Sequence, residues 1–217
     1  MTRTPGIPVW DVPTRLFHWL LVVLFAFSWY SAENGLMDWH RRSGLTLLAL
    51  VGFRLVWGFV GGSTARFAHF VRGPGAVLQH LRGAPAAIGH NPVGALSVLA
   101  LLALLVLQIV AGLYAVDVDG LESGPLSDFV SFEAGRQAAR IHHLCFDGLL
   151  VLVVLHVVAI AVYRLRGRNL VLPMLTGRDP QADPQATPLV PARPFAFVLA
   201  AAISAALAWW IGNGAPH

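Results

Sequence analysis

The chain has 217 residues, of which 56% are hydrophobic and only 12% charged. That is too apolar for an ordinary soluble domain and points to membrane spans. All 15 basic residues are arginines, set against 11 acids for a net charge of +4; they are dispersed at the ends of apolar runs, so they read as topology signals and not as a nucleic-acid-binding surface.

One cysteine, Cys145, excludes an internal disulfide and any multi-cysteine metal or iron–sulfur site. The N-terminal stretch Trp10–Arg15 is polar and irregular, and the apolar run behind it ends in no small-residue cleavage site, so it is read as a retained span. In chain order the spans are predicted over about 16–31, 43–61, 92–116, 141–163 and 195–212, each near the length that crosses a bilayer. Between the second and third, Phe67, Phe70, Val71, Val77, Leu78 and Leu81 alternate with arginines. That pattern predicts an interfacial amphipathic piece, broken at Gly73-Pro74-Gly75. Residues 179–194 are rich in proline and polar side chains and predict an extended linker. Trp10, Trp19, Trp29, Trp39, Trp57, Trp209 and Trp210 fall near span ends, as an interfacial belt would. No internal repeat stands out.

Arginine counts set the orientation. Arg3 and Arg15 lie at the N-terminus, Arg66, Arg72 and Arg82 between spans two and three, and Arg164, Arg166 and Arg168 after span four. These segments should be cytoplasmic. The connection between spans three and four holds Asp117, Asp119, Glu122, Asp128 and Glu133 and should be periplasmic. Arg41 and Arg42 run against the rule and are assigned a local role. The expectation is a multi-pass protein of the bacterial inner membrane, N-terminus cytoplasmic and C-terminus periplasmic.

Four of the nine histidines pair by depth. His18 and His156 fall toward the cytoplasmic side, His40 and His142 toward the external side. His142 and His156 are fourteen residues apart, within roughly 40° of one helix face and about 21 Å along its axis. An imidazole in lipid is costly and asks for a partner. Two bis-histidine pairs at two depths are what two haems b require, with iron held from both sides in a slot between helices. His143 competes with His142 but lies over about 120° from His156 around the helix, so His142 is preferred and the choice stays open. His69, His80 and His90 sit in the arginine-rich connection and read as solvent-side or interfacial, and His217 is terminal.

Arg54 lies well inside span two, fourteen residues after His40. A lone arginine in lipid needs an anion, and a haem propionate would serve; snorkelling to the surface is the alternative. Arg15, one turn before His18, is a second propionate or lipid-headgroup candidate. Gly44, one turn after His40, would let a porphyrin come close, though plain helix packing also uses glycine. Asp147 and Cys145 in span four are read as structural.

Taken together, PVWDVPTRLFHWLLVVLF, DWHRRSG with Arg54 beyond it, GHNPVGALSVLALLALL, IHHLCFDGLLVLVVLH and GRNLVLPMLTGRD resemble the bacterial di-haem cytochrome b family that includes nickel–iron hydrogenase b subunits, cytochrome b561-like. The resemblance covers about residues 8–178. It implies an all-α integral membrane four-helix bundle holding two non-covalent haems b, liganded by His18, His40, His142 and His156, with Arg54 matching the family's span-two arginine. The fifth helix lies beyond the family core.

The reading is therefore an electron-transfer cytochrome b working between a quinone pool and a periplasmic redox partner, such as a c-type cytochrome, a dehydrogenase or a hydrogenase, with no catalytic side chain of its own. The resemblance also admits a single-subunit quinone-linked superoxide oxidase. Two other classes compete. A non-redox membrane anchor would use the histidines as helix–helix hydrogen bonders. A proton-coupled transporter would use them with Asp147 as a relay, but the spans lack helix-breaking Gly/Pro pairs and a repeat.

Overall fold

The structure is a computed structural model that describes residues 6–71, 73–82, 89 and 91–215. Arg3, Arg72, His90 and His217 lie outside the described residues, as do the side chains of His80 and Leu81. Strand β1 (Ile7–Pro8) leads into α1 (Val12–Glu33) and α2 (Met37–Val60). A 3-10 turn at Ser63–Ala65, α3 (Phe67–Phe70) and α4 (Pro74–Leu81) precede α5 (Pro92–Tyr114). A second 3-10 turn at Ser127–Phe129 precedes α6 (Phe132–Leu165), and α7 (Val171–Thr176), β2 (Arg178–Asp179) and α8 (Pro194–Gly212) follow. Among the described residues, α1, α2, α5, α6 and α8 are long and apolar enough to cross a membrane.

Polar caps close the starts of three of these helices, two of which begin before their apolar runs. The Thr14 amide donates to Asp11 Oδ1 at 2.8 Å, that of Gly94 to Asn91 Oδ1 at 2.6 Å and that of Ala134 to Ser131 Oγ at 3.2 Å. Each satisfies an amide that the first helical turn leaves open. The fourth span differs most from its sequence expectation. It starts nine residues earlier, at Phe132 instead of 141, because Phe132–Arg140 is polar yet helical. Gly135 packs against Val116, and Arg136 donates to the Val116 carbonyl at 2.8 Å. At 34 residues α6 is about 51 Å long, well beyond a hydrocarbon core of about 30 Å. The amphipathic piece is interrupted where Gly73-Pro74-Gly75 predicts a break: α3 ends at Phe70 and α4 opens at Pro74. Proline suits a first helical turn, where its missing N–H costs nothing.

The chain forms two compact units. The first comprises Met1–His18, Arg54–Ala100 and Leu152–Val198. Here β1 pairs antiparallel with β2, Ile7 opposite Asp179. Gly177 takes a left-handed φ of 80° at the end of α7, and its carbonyl accepts from Val9 N and Trp10 N. The region predicted as a linker is stitched down along its length. Arg168 is paired with Asp179, Leu189 N donates to the Pro8 carbonyl at 2.9 Å, and Val190 exchanges hydrogen bonds with Ser63. Asp11 Oδ2 also accepts from Trp57 Nε1 and Gly62 N.

The second unit comprises Trp19–Phe53, Leu101–Val151 and Leu199–His217. Its core gathers Leu47, Val51, Leu105, Ile109, Leu113, Leu126, Leu149 and Ile211. The buried stripe of α8, Ala200, Ser204, Ala208 and Ile211, faces α2: a Cβ on Gly52 would sit 3.4 Å from Ser204 Oγ, and one on Gly212 3.1 Å from Leu45. Small residues let two helix backbones come close where hydrophobicity gives no drive.

Candidate functional site

The second unit brings two of the predicted histidines together. His40 near the start of α2 and His142 on α6 are both half-buried, with ring centroids 6.0 Å apart and planes at 86°. His40 Nδ1 lies 2.9 Å from the Ser28 carbonyl oxygen and 3.2 Å from Ser28 Oγ. His142 Nδ1 lies 2.8 Å from the Gln108 carbonyl oxygen. A carbonyl only accepts, so each ring carries its proton on Nδ1 and keeps a lone pair on Nε2. On His142 that lone pair meets the Gln108 side-chain amide nitrogen at 3.1 Å, while Gln108 Oε1 is buried with no hydrogen-bond partner among the described residues.

An imidazole whose Nδ1–H is pinned to a backbone carbonyl presents Nε2 in the orientation and tautomer that metals bind. Two metal–nitrogen bonds of about 2.0 Å, with half a ring added on each side, need roughly 6 Å between centroids. The His40–His142 separation matches, so the pair fits a bis-imidazole iron once the Gln108 amide gives up the His142 Nε2 lone pair. One glycine leaves room for the His142 ring. A Cβ on Gly112, one turn after Gln108, would lie 2.8 Å from His142 Cε1, whereas one on Gly44 would meet nothing within 4 Å. Neighbouring side chains are placed differently. His143 is exposed, its ring centroid 6.3 Å from that of His142; Asp147 is exposed and Cys145 buried.

The first unit holds His18 and His156, both half-buried and within electrostatic range of each other. Arg54 of the same unit is 3% exposed. Its guanidinium stands 5.1 Å over the Phe67 ring, and its Nη1 is buried without a hydrogen-bond partner among the described residues. Phe67 reaches this place because Gly58 has no side chain; a Cβ there would collide with the ring. Asp11 is the acid whose charge reaches Arg54, but its oxygens already accept from Thr14 N, Trp57 Nε1 and Gly62 N. A buried cation with an open donor fits a carboxylate such as a haem propionate. Arg15 is less available, since its Nη1 donates to the Leu175 carbonyl at 2.5 Å, although its Nε has no hydrogen-bond partner among the described residues.

Sequence reasoning missed Ser28, Gln108 and Gly112. Gln108 carried a signal, being a lone amide in an otherwise apolar span, the kind of residue that marks a site in lipid. The Ser28 and Gln108 carbonyls carried none, because every residue has one. Arg41, set aside above for a local role, pairs with Asp38 and with Glu122 of the acidic connection.

No curated protein and no solved structure matches the chain. The family model of prokaryotic cytochrome b561 matches residues 9–177. With that match and five membrane-length helices, the chain belongs to the prokaryotic cytochrome b561 family and is a multi-pass, all-α membrane cytochrome that binds haem b and transfers electrons.

Proposed function

We propose that the chain carries electrons between a membrane quinone pool and a soluble redox partner through two bis-histidine haems b. His40 and His142 would hold one, His18 and His156 the other, and residues 8–178 form the di-haem domain. Residues 179–194 then connect it to the additional helix, 195–212. The observation that carries the reading is the matched pair of Nδ1–H contacts to the Ser28 and Gln108 carbonyls with the rings 6.0 Å apart.

When bound, each haem would supply one-electron chemistry, held by its two histidines. The chain's own residues do the rest. Ser28 and Gln108 fix the tautomer and raise the basicity of the ligating nitrogens. Gly112 keeps a methyl group off the His142 ring, and Gly44 would leave open space for a porphyrin. Arg54 offers its open Nη1 to a propionate, and Arg15 is the second donor candidate. The arginine distribution supports an inner-membrane topology with the N-terminus cytoplasmic and the C-terminus periplasmic.

The test is the visible spectrum of the purified protein before and after dithionite, with haem quantified per chain. A sharp low-spin b-type band at about two haems per chain is expected. A colourless, folded protein from haem-replete cells would end the reading.

A further inference from the structure

The connection between α5 and α6 is a built surface. Val116 and Ser123 face each other across an antiparallel bridge. Asp117 N donates to the Glu122 carbonyl at 3.0 Å, Gly124 N to the Ala115 carbonyl at 2.8 Å, and Leu121 N to Asp117 Oδ1 at 2.9 Å. Residues 115–124 are thus a pinned hairpin, and Glu122 ties it to Arg41, the residue beside His40.

Its tip exposes what a hairpin normally hides. Val118 is 72% and Leu121 83% exposed, and Phe129 and Phe132 are 49% and 56% exposed nearby. Phe132 leans on the tip, 3.7 Å from where a Gly120 Cβ would stand. Asp119, Asp128 and Glu133, the sequence neighbours of Val118, Phe129 and Phe132, are exposed too. Of the neighbouring bases, one is ion-paired and two hydrogen-bond neutral oxygens. Arg41 is paired with Asp38 and Glu122, Arg136 donates to the Val116 carbonyl and Arg140 to Gln137.

An apolar centre with a charged rim is the anatomy of a protein–protein contact. The rim's negative sign disfavours an anionic lipid surface and steers a positively charged partner. Because the hairpin is already hydrogen-bonded, little ordering cost opposes binding.

We propose that the Val116–Ser123 hairpin and the start of α6 form the docking face for a soluble electron-transfer protein whose contact surface is apolar at its centre and basic at its rim. The tie through Arg41 places this partner at the helix end that carries His40. The proposal rests on the electron-carrier reading above and specifies where its soluble partner lands.

The probe is a basic c-type cytochrome titrated onto the haem-loaded full chain in phosphatidylcholine nanodiscs, with binding read by calorimetry at low and high salt. The wild type should bind, and at least tenfold more weakly in high salt. A D119K/D128K/E133K variant should lose at least tenfold in affinity at low salt, and Leu121→Ser should weaken binding at both salt concentrations. An unchanged affinity in the triple variant, or a wild type that does not bind the probe, would overturn the proposal. So would a Leu121→Trp variant whose added emission over the wild type is quenched by brominated lipid in the same nanodiscs, because that places the tip in the bilayer. Haem content, read from the visible spectra of the same samples, tests the underlying reading separately from binding.

Discussion

The His40–His142 pair and the His18–His156 pair belong to different units and are furnished differently. Around His40 and His142 the surroundings act on the rings themselves: two carbonyls, from Ser28 and Gln108, take the Nδ1 protons. In the unit of His18 and His156 the distinguishing feature is a charge, the buried Arg54 with an open Nη1. On the proposed reading, the first arrangement would tune iron through its ligands and the second through a nearby charge, so two haem sites with the same ligand type would differ in potential.

Removing a ligand should break this comparison outright. His40→Ala or His142→Ala is expected to lower haem from about two per chain to about one while sparing the other site, and His18→Ala or His156→Ala to do the reverse, because each iron needs both imidazoles. Pyridine haemochrome analysis with low-temperature spectra decides it; wild-type haem content after His40→Ala would refute the pairing.

A steric change should come next. Gly112→Val places carbon where the His142 ring now lies, so it should deplete the His40–His142 haem. Gly112→Ala should retain haem but change the low-spin EPR signal of that site alone. An unaltered signal in both would mean that Gly112 serves only packing.

Arg54→Leu sharpens the electrostatic half. Losing a buried positive charge favours ferric over ferrous iron, so one of two resolved midpoint potentials should fall by on the order of 60 mV, a tenfold change for one electron. Arg54→Lys keeps the charge without the fork and should fall less. Equal potentials in a redox titration of all three proteins would sever Arg54 from the haem.

Smallest are the contacts that lean on a carbonyl or on solvent. Ser28→Ala deletes Oγ but leaves the carbonyl that His40 uses. With about 1 kcal/mol at stake, haem content should be unchanged and one potential only slightly shifted. Arg41→Ala breaks partly exposed ion pairs and should lower stability by less than about 1 kcal/mol in denaturant unfolding.

Much of this protein was legible in its sequence, because lipid imposes strong rules. A backbone crossing hydrocarbon must satisfy its own hydrogen bonds, so five apolar runs became five membrane-length helices. Polar side chains in such runs are costly, so His18, His40, His142, His156 and Arg54 stood out without any structure. Spacing on α6 favoured His142 over His143; in the structure His142 is half-buried and His143 exposed.

Tertiary structure decided what composition cannot encode. The acceptor of each Nδ1 proton is a backbone carbonyl, a group common to all residues and selected only by which helices meet. The partners of Arg41 lie in its own first turn and in a connection far along the chain. Phe132–Arg140 reads as loop by polarity and is helix because of what Gly135 and Arg136 touch. The proline-rich segment reads as spacer and is held to β1 and Ser63 by hydrogen bonds from residues of no special type. Solvent preference is written residue by residue along the chain, whereas contact partners are fixed only once the helices have packed.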